Sequence, residues 1–270
     1  MQPPSQAPLA PAGIRVRVDG VRKTFPGGVD AVGGVDLDIA QGSFVALLGP
    51  SGCGKSTLLR LIAGLDSPSH GQITHTSSAP AETQGAVGAR IPGSTAFVFQ
   101  DAHLLPWRRV LDNVALPLEL ADVPAAERRD IARDALANVG LGDAIDRFPA
   151  ELSGGMRMRA SLARALVTSP RLLLLDEPFG ALDELTRNRL DDDLRALWLA
   201  KAMTVLFVTH SISEAVYLAE RALVFTRRPA RVIADRAIDL PRARSADIRL
   251  DPAFAAEVRA LQDALVQGGA

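Results

Sequence analysis

Phe44-Val45-Ala46-Leu47-Leu48-Gly49-Pro50-Ser51-Gly52-Cys53-Gly54-Lys55-Ser56-Thr57 runs five apolar residues without a break into a glycine-rich loop, and a helical pattern follows as far as Ala63. A half-exposed strand alternates apolar with polar residues. An unbroken run fits a strand covered on both faces, as in a parallel sheet. The glycines let backbone N–H groups turn inward around an anion with no side chain in the way, and the helix that starts there adds the positive end of its dipole. The spacing matches G-x-x-x-x-G-K-[ST] in the strand-to-helix setting that loop requires. Gly49, Pro50, Ser51, Gly52, Cys53, Gly54, Lys55, Ser56 and Thr57 are therefore read as a phosphate cradle, with Lys55 reaching the β- and γ-phosphates and Ser56 ligating Mg2+.

Working outward, Leu172-Leu173-Leu174-Leu175-Asp176-Glu177 is a second buried strand, ending in two acids. Open parallel sheets bind ligands at the C-terminal ends of their strands. Asp176 is placed to hold Mg2+, and Glu177 to orient and deprotonate the water that attacks a γ-phosphate. Ala96-Phe97-Val98-Phe99 runs into Gln100, Val205 to Thr209 runs into His210, and Ala222 to Thr226 forms a further strand. Ile14, Val16 and Val18, then Val35, Leu37 and Ile39, alternate with polar residues as half-exposed strands do. From about Val110 to Leu166 the pattern is helical. Ile131, Ala135, Leu136 and Val139 share one face, Pro124 suits the first turn and Gly140 the stop. Residues 74–94, rich in Thr, Ser, Ala, Pro and Gly, read as a loose surface connection. Asp251 to Val266 reads as a short amphipathic helix. The expected fold is α/β: a parallel P-loop core, an antiparallel N-terminal subdomain and an inserted helical subdomain.

The bulk numbers restrict the function. The 270 residues suffice for one large domain or two small ones, and 47% hydrophobic residues argues against disorder. A net charge of -1 gives no electrostatic reason for a nucleic-acid partner. One cysteine, Cys53, allows no intrachain disulfide. The first twelve residues read as a flexible lead-in without the basic start and apolar stretch of a secretory signal. No run approaches the ~18 apolar residues of a membrane span. The chain is expected to be soluble, reaching a membrane only through a partner.

Leu152-Ser153-Gly154-Gly155-Met156, opening a helix shortly before the acidic strand, offers an anion a hydroxyl, free N–H donors and a helix dipole. One nucleotide in one chain has no use for two cradles. With these residues the chain resembles the ATPase subunits of ATP-binding-cassette (ABC) transporters, from about Ile14 to the C-terminal helix. The resemblance implies that Ser153, Gly154 and Gly155 contact the γ-phosphate of ATP held by a second copy, so that a homodimer closes around two ATP–Mg2+. It implies that Gln100 contacts Mg2+ and the attacking water and that His210 contacts the γ-phosphate. It also implies that Ala181-Leu182-Asp183 crosses the dimer interface and that Phe25 stacks on adenine. The domains follow: a flexible 1–12, an ATPase domain over 13–240 with the helical subdomain at about 101–168, and a short helical extension over 241–270. The implied partners are two integral-membrane permease subunits and a periplasmic or lipid-anchored substrate-binding protein, with the chain on the cytoplasmic face of the inner membrane.

Leu104-Leu105-Pro106-Trp107, with Asp112-Asn113-Val114 after it, is similar to a stretch in importer ATPases for nitrate, sulfonates, taurine and related small anions. That branch also shows Leu-Ser-Gly-Gly-Met-Arg and Asp-Glu-Pro-Phe-Gly-Ala-Leu-Asp, both present here. In the family this segment borders the groove that receives the permease. Met158 departs from the glutamine often found there. The alternative reading is a non-transport ABC ATPase that serves as an assembly factor. Cys53, inside the loop, is expected to react with thiol reagents and to be protected by ATP.

Overall fold

The computed structural model describes residues 13–77, 94–180 and 182–267. Two sheets organise them. Strands β1 (Arg15–Phe25), β2 (Val29–Ile39) and β4 (His70–Thr76) form an antiparallel sheet in the order β2-β1-β4. Strands β3 (Phe44–Leu48), β5 (Thr95–Val98), β6 (Leu172–Asp176), β7 (Thr204–Thr209), β8 (Arg221–Phe225) and β9 (Val232–Ala237) form the second, ordered β5-β6-β7-β3-β8-β9. Its first five strands are parallel, and β9 pairs antiparallel at the edge.

The apolar runs follow from burial on both faces. Phe44, Ala46, Leu48, Leu173, Leu175, Val205 and Phe207 face one core. There they meet helices α4 (Gly154–Leu166), α5 (Glu184–Lys201), α6 (Ile212–Leu218) and α7 (Pro252–Gln267). Val45, Leu47, Leu172, Leu174, Leu206 and Val208 face the other core, beneath α1 (Lys55–Ile62) and the antiparallel sheet. Each buried Val, Leu or Phe among them contributes about 1.5–3 kcal/mol by leaving water. Phe254 and Leu261 of α7 pack in the first core with Val216 and Val224.

Helices α2 (Val110–Glu119) and α3 (Ala125–Asn138), with the outer face of α4, enclose a third core of Val110, Val114, Leu136, Leu141, Leu152 and Ala163. The buried residues of α3 are Ala132 and Leu136. Ile131 and Ala135 are half-buried and pack against the same core as Leu136 and Val139, so the expected face is the one that is covered. Gly140 ends the helix at φ +66°. The expected loose connection over 74–94 is corrected at its start. Thr74 to Thr76 belong to β4, where Thr74 pairs with Arg17 and Thr76 with Arg15. Residues 78–93 and 1–12 lie outside the described residues. No described helix is long and apolar enough to cross a membrane.

Candidate functional site

Register brings the site together. Leu48 pairs with Thr209, Asp176 with Val208 and Val98 with Leu175, so four neighbouring parallel strands end level. The next residues are Gly49 after β3, Glu177 after β6 and His210 after β7, with Gln100 two positions beyond β5. All four leave the same rim, where a parallel sheet presents its ligand-binding loops.

The loop after β3 is shaped by close approach. Gly54 has φ +121°, and a Cβ there would lie 2.2 Å from the Ala31 carbonyl oxygen. Only glycine fits that contact. Lys55 is buried, its Nζ donating to the carbonyls of Gly49 at 2.7 Å and Pro50 at 2.8 Å. Ser51 and Gly52 are exposed at the loop's crest, and Ser56 and Thr57 open α1 half-buried. Cys53 turns its thiol into the core and is 2% exposed. The expectation of ready reaction with thiol reagents is corrected accordingly, because the position demands a small side chain for packing. Arg228 Nε donates to the Gly52 carbonyl at 3.2 Å, an outer contact that sequence reasoning missed. Its signal was the Arg227-Arg228-Pro229 turn between β8 and the edge strand β9.

Ser56 Oγ donates to Asp176 Oδ1 at 2.6 Å. Burial pushes the Asp176 carboxyl above its usual range, with the Ser56 hydrogen bond pulling the other way. A hydroxyl oxygen beside a desolvated carboxylate is a hard donor pair that suits Mg2+, which takes few protein ligands and fills its shell with phosphate and water. Among the described residues no group of three His, Cys, Asp or Glu side chains could hold a metal alone.

Glu177 adopts φ +45°, unusual for a residue with a side chain, and its N–H donates to Val208 O at 3.0 Å. That geometry turns its carboxylate across the neighbouring strand end, where Oε2 lies 3.0 Å from His210 Nδ1. Backbone held in this region costs of order 1–3 kcal/mol and collects at functional sites. Gln100 and His210 are both exposed at the rim.

The second cradle stands apart from the first. Ser153 caps α4, its hydroxyl accepting from Met156 N at 3.3 Å. A Cβ on Gly155 would lie 2.9 Å from the Thr186 methyl and 3.7 Å from Leu182 Cδ2. Asp183 caps α5 by accepting from Thr186 N at 2.9 Å, and that backbone donor holds its carboxyl below the usual range. Gly154 and Gly155 thus sit beside Leu182 and the first turn of α5 that Asp183 caps, while Ala181 lies outside the described residues. Among the described residues, no hydrogen bond joins 153–155 to 49–57 within the chain. Ser153 and Asp183 are exposed.

Phe25 closes the β1–β2 hairpin opposite Val29 and is 38% exposed, with Lys23 Nζ 5.2 Å from its ring centre. The same hairpin leans on the phosphate loop through Ala31. A further segment is held rigidly: buried Asn113 accepts from Leu105 N at 2.7 Å and donates to the carbonyls of Leu105, Arg108 and Arg109. Arg164 holds the preceding carbonyls of Ala102 and His103. Between these anchors Trp107 projects, 71% exposed.

A family profile described as "ABC transporter" matches residues 32–180. Over 259 residues the chain is 45% identical to the aliphatic sulfonates import ATP-binding protein SsuB of Ralstonia nicotianae, covering 96% of this chain and 84% of that protein. The protein of the same name from a Mycobacterium species is 48% identical, with 85% of this chain and 86% of that one covered. An uncharacterized ABC transporter ATP-binding protein of Methanocaldococcus jannaschii is 43% identical over 86% of this chain and 85% of its own length. Among solved structures, a dimeric ATP-binding cassette in a post-hydrolysis state bound to ADP and phosphate aligns with TM-score 0.71 at 31% identity, covering 84% of this chain and 100% of that one.

Proposed function

The chain belongs to the ABC transporter family and is an ATPase, and we propose that it powers an importer of aliphatic sulfonates or closely related small organic anions. The observation that carries the cargo class is the 45–48% identity to importer subunits of that name over most of both chains. The rigidly presented Leu104-to-Trp107 segment adds to it.

Two copies bind two ATP molecules between them. Gly49 to Thr57 of one copy wrap the phosphates, and Ser153, Gly154 and Gly155 of the other cover the γ-phosphate, with Asp183 beside them at the interface. That no hydrogen bond joins the two cradles among the described residues of one chain supports this division. Lys55, which now spends its protons on the Gly49 and Pro50 carbonyls, turns to the β- and γ-phosphates. Phe25 offers its ring face to adenine. Ser56 and Asp176, with Gln100 on the same rim, would hold Mg2+, which when bound would neutralise charge on the phosphates. Glu177 takes a proton from the attacking water as the new P–O bond forms and the bond to ADP breaks. His210 holds that carboxylate in place and contacts the γ-phosphate. Catalysis of this kind is positioning and charge stabilisation.

The helical insertion, about 101–168, and the ATPase core of 13–240 are the moving parts, with 241–270 as an extension. The pair sits peripherally on the cytoplasmic face of the inner membrane against two permease subunits, served by a periplasmic or lipid-anchored binding protein. The test is purification of the intact complex with its binding protein, identification of the bound solute by mass spectrometry, and ATPase measurement in proteoliposomes. Stimulation by an alkanesulfonate is expected. Copurification with soluble proteins alone, or stimulation only by a cation or sugar, would overturn the reading.

A further inference from the structure

Glu177 and His210 stand on different loops, and neither loop fixes the other through its backbone alone. A chain of side chains beneath them does. In the loop that follows Glu177, the carbonyls of Phe179 and Leu182 both accept from Arg187, at 3.3 Å from Nε and 2.7 Å from Nη2. The same Nε lies 3.2 Å from Glu214 Oε1. The other Glu214 oxygen accepts from Thr209 Oγ1 at 2.5 Å. Thr209 Oγ1 in turn accepts from Ser211 N at 2.9 Å, and Ser211 Oγ accepts from Glu214 N at 3.3 Å. Both neighbours of His210 in sequence are therefore tied to Glu214.

The Glu214 side chain is 6% exposed and that of Arg187 26%. A buried pair of this kind is poor value as a stabiliser, since desolvation offsets most of the attraction. Its hydrogen bonds go instead to the two loops that carry the reacting acid and the histidine. We propose that Arg187 and Glu214 are positioning residues for hydrolysis, setting the distance between Glu177 and His210 without touching nucleotide. The proposal rests on the reading of Glu177 and His210 given above.

Arg187→Met, Glu214→Gln, the double variant and Arg187→Lys test it, with His210→Ala as a separate control. For each, kcat, KM for ATP, nucleotide affinity and Tm are measured. Each single variant is expected to lower kcat about tenfold, with KM and nucleotide affinity within about twofold, as for an interaction that matters in the transition state. The double variant is expected to fall about tenfold as well, because residues acting as a unit are not additive. Arg187→Lys keeps the charge and recovers part of kcat. Glu214→Gln keeps the side-chain shape, so it reports even if Arg187→Met fails to fold. Unchanged kcat with a lowered Tm, or singles that multiply to a hundredfold loss, would overturn the proposal. A fully active His210→Ala would instead overturn the underlying site reading.

Discussion

His210 Nδ1 lies 3.0 Å from Glu177 Oε2, bridging the level ends of two parallel strands. The contact holds an acid on strained backbone, at the rim where the proposed hydrolysis places the attacking water. Glu177→Gln preserves shape and removes the proposed base. Its kcat for ATP hydrolysis is expected to fall by about 10²–10³, with ATP still bound and the dimer accumulating on size-exclusion chromatography. Rapid multiple-turnover hydrolysis by this variant would remove Glu177 from the role of base.

Asn113 fixes the exposed loop that carries Trp107 by four hydrogen bonds, all to backbone. Asn113→Ala leaves the Leu105 N–H and the Arg108 carbonyl without these partners, while the carbonyls of Leu105 and Arg109 keep the backbone donors Arg108 N and Asn113 N. Urea unfolding is expected to show a loss of about 1–3 kcal/mol. ATP binding by the isolated chain is expected to persist while stimulation by the assembled permease is lost. Full transport by the variant would show that the loop's shape does not matter to coupling.

Asp191 on α5 is 2% exposed, with Arg249 Nη2 3.3 Å from its Oδ2. Burial, reinforced by nearby Glu214, pushes its carboxyl up to about 8 despite that arginine. Glu214 is raised by burial as well. A carboxyl that holds its proton more tightly folded than unfolded stabilises the fold fully below the unfolded value of about 4. The contribution is lost as pH rises towards the folded value. Tm of the wild type is therefore expected to decline between pH 5 and 8, and Asp191→Asn to flatten part of that decline, with Glu214 supplying the rest. Superimposable Tm–pH curves for the two proteins would contradict this.

The parts of the fold that were legible in the sequence are those whose burial leaves a pattern. Phe44 to Leu48 and Leu172 to Leu175 are covered on both faces, so the apolar run and its terminal acid give strand and site position together. His70 to Thr76 is an edge strand with no buried residue and most of its residues exposed, and β9 is another. Neither had an alternation to betray it. On α3 and just beyond it, Ile131, Ala135, Leu136 and Val139 all meet the third core as their spacing predicts, and Ala132, too small to mark a stripe, is the buried neighbour the pattern did not single out. Arg187 and Glu214 were invisible for a different reason: they belong to separate helices, 27 positions apart in sequence, and only packing of α5 against α6 joins them.

Ser153 caps its own helix through Met156 N and also stands, exposed, at the mouth of the second cradle. The two roles can be separated by substitution. Ser153→Ala removes the cap and costs about 1 kcal/mol of stability, while leaving room for a neighbouring phosphate. Ser153→Arg also loses the cap but fills the mouth with a long side chain. If the cradle serves the nucleotide of the other copy, as proposed, Ser153→Arg binds ATP with near wild-type affinity as a monomer and loses dimerisation and hydrolysis together. Mixing it with excess Lys55→Ala protein sharpens the point. A hybrid dimer pairs the intact phosphate loop of the first with the intact Ser153 of the second, restoring one composite site. Partial recovery of hydrolysis in the mixture, absent from either protein alone, is the expected outcome. If the mixture stays silent while each protein is folded and Ser153→Arg binds ATP, the two cradles do not meet across a dimer.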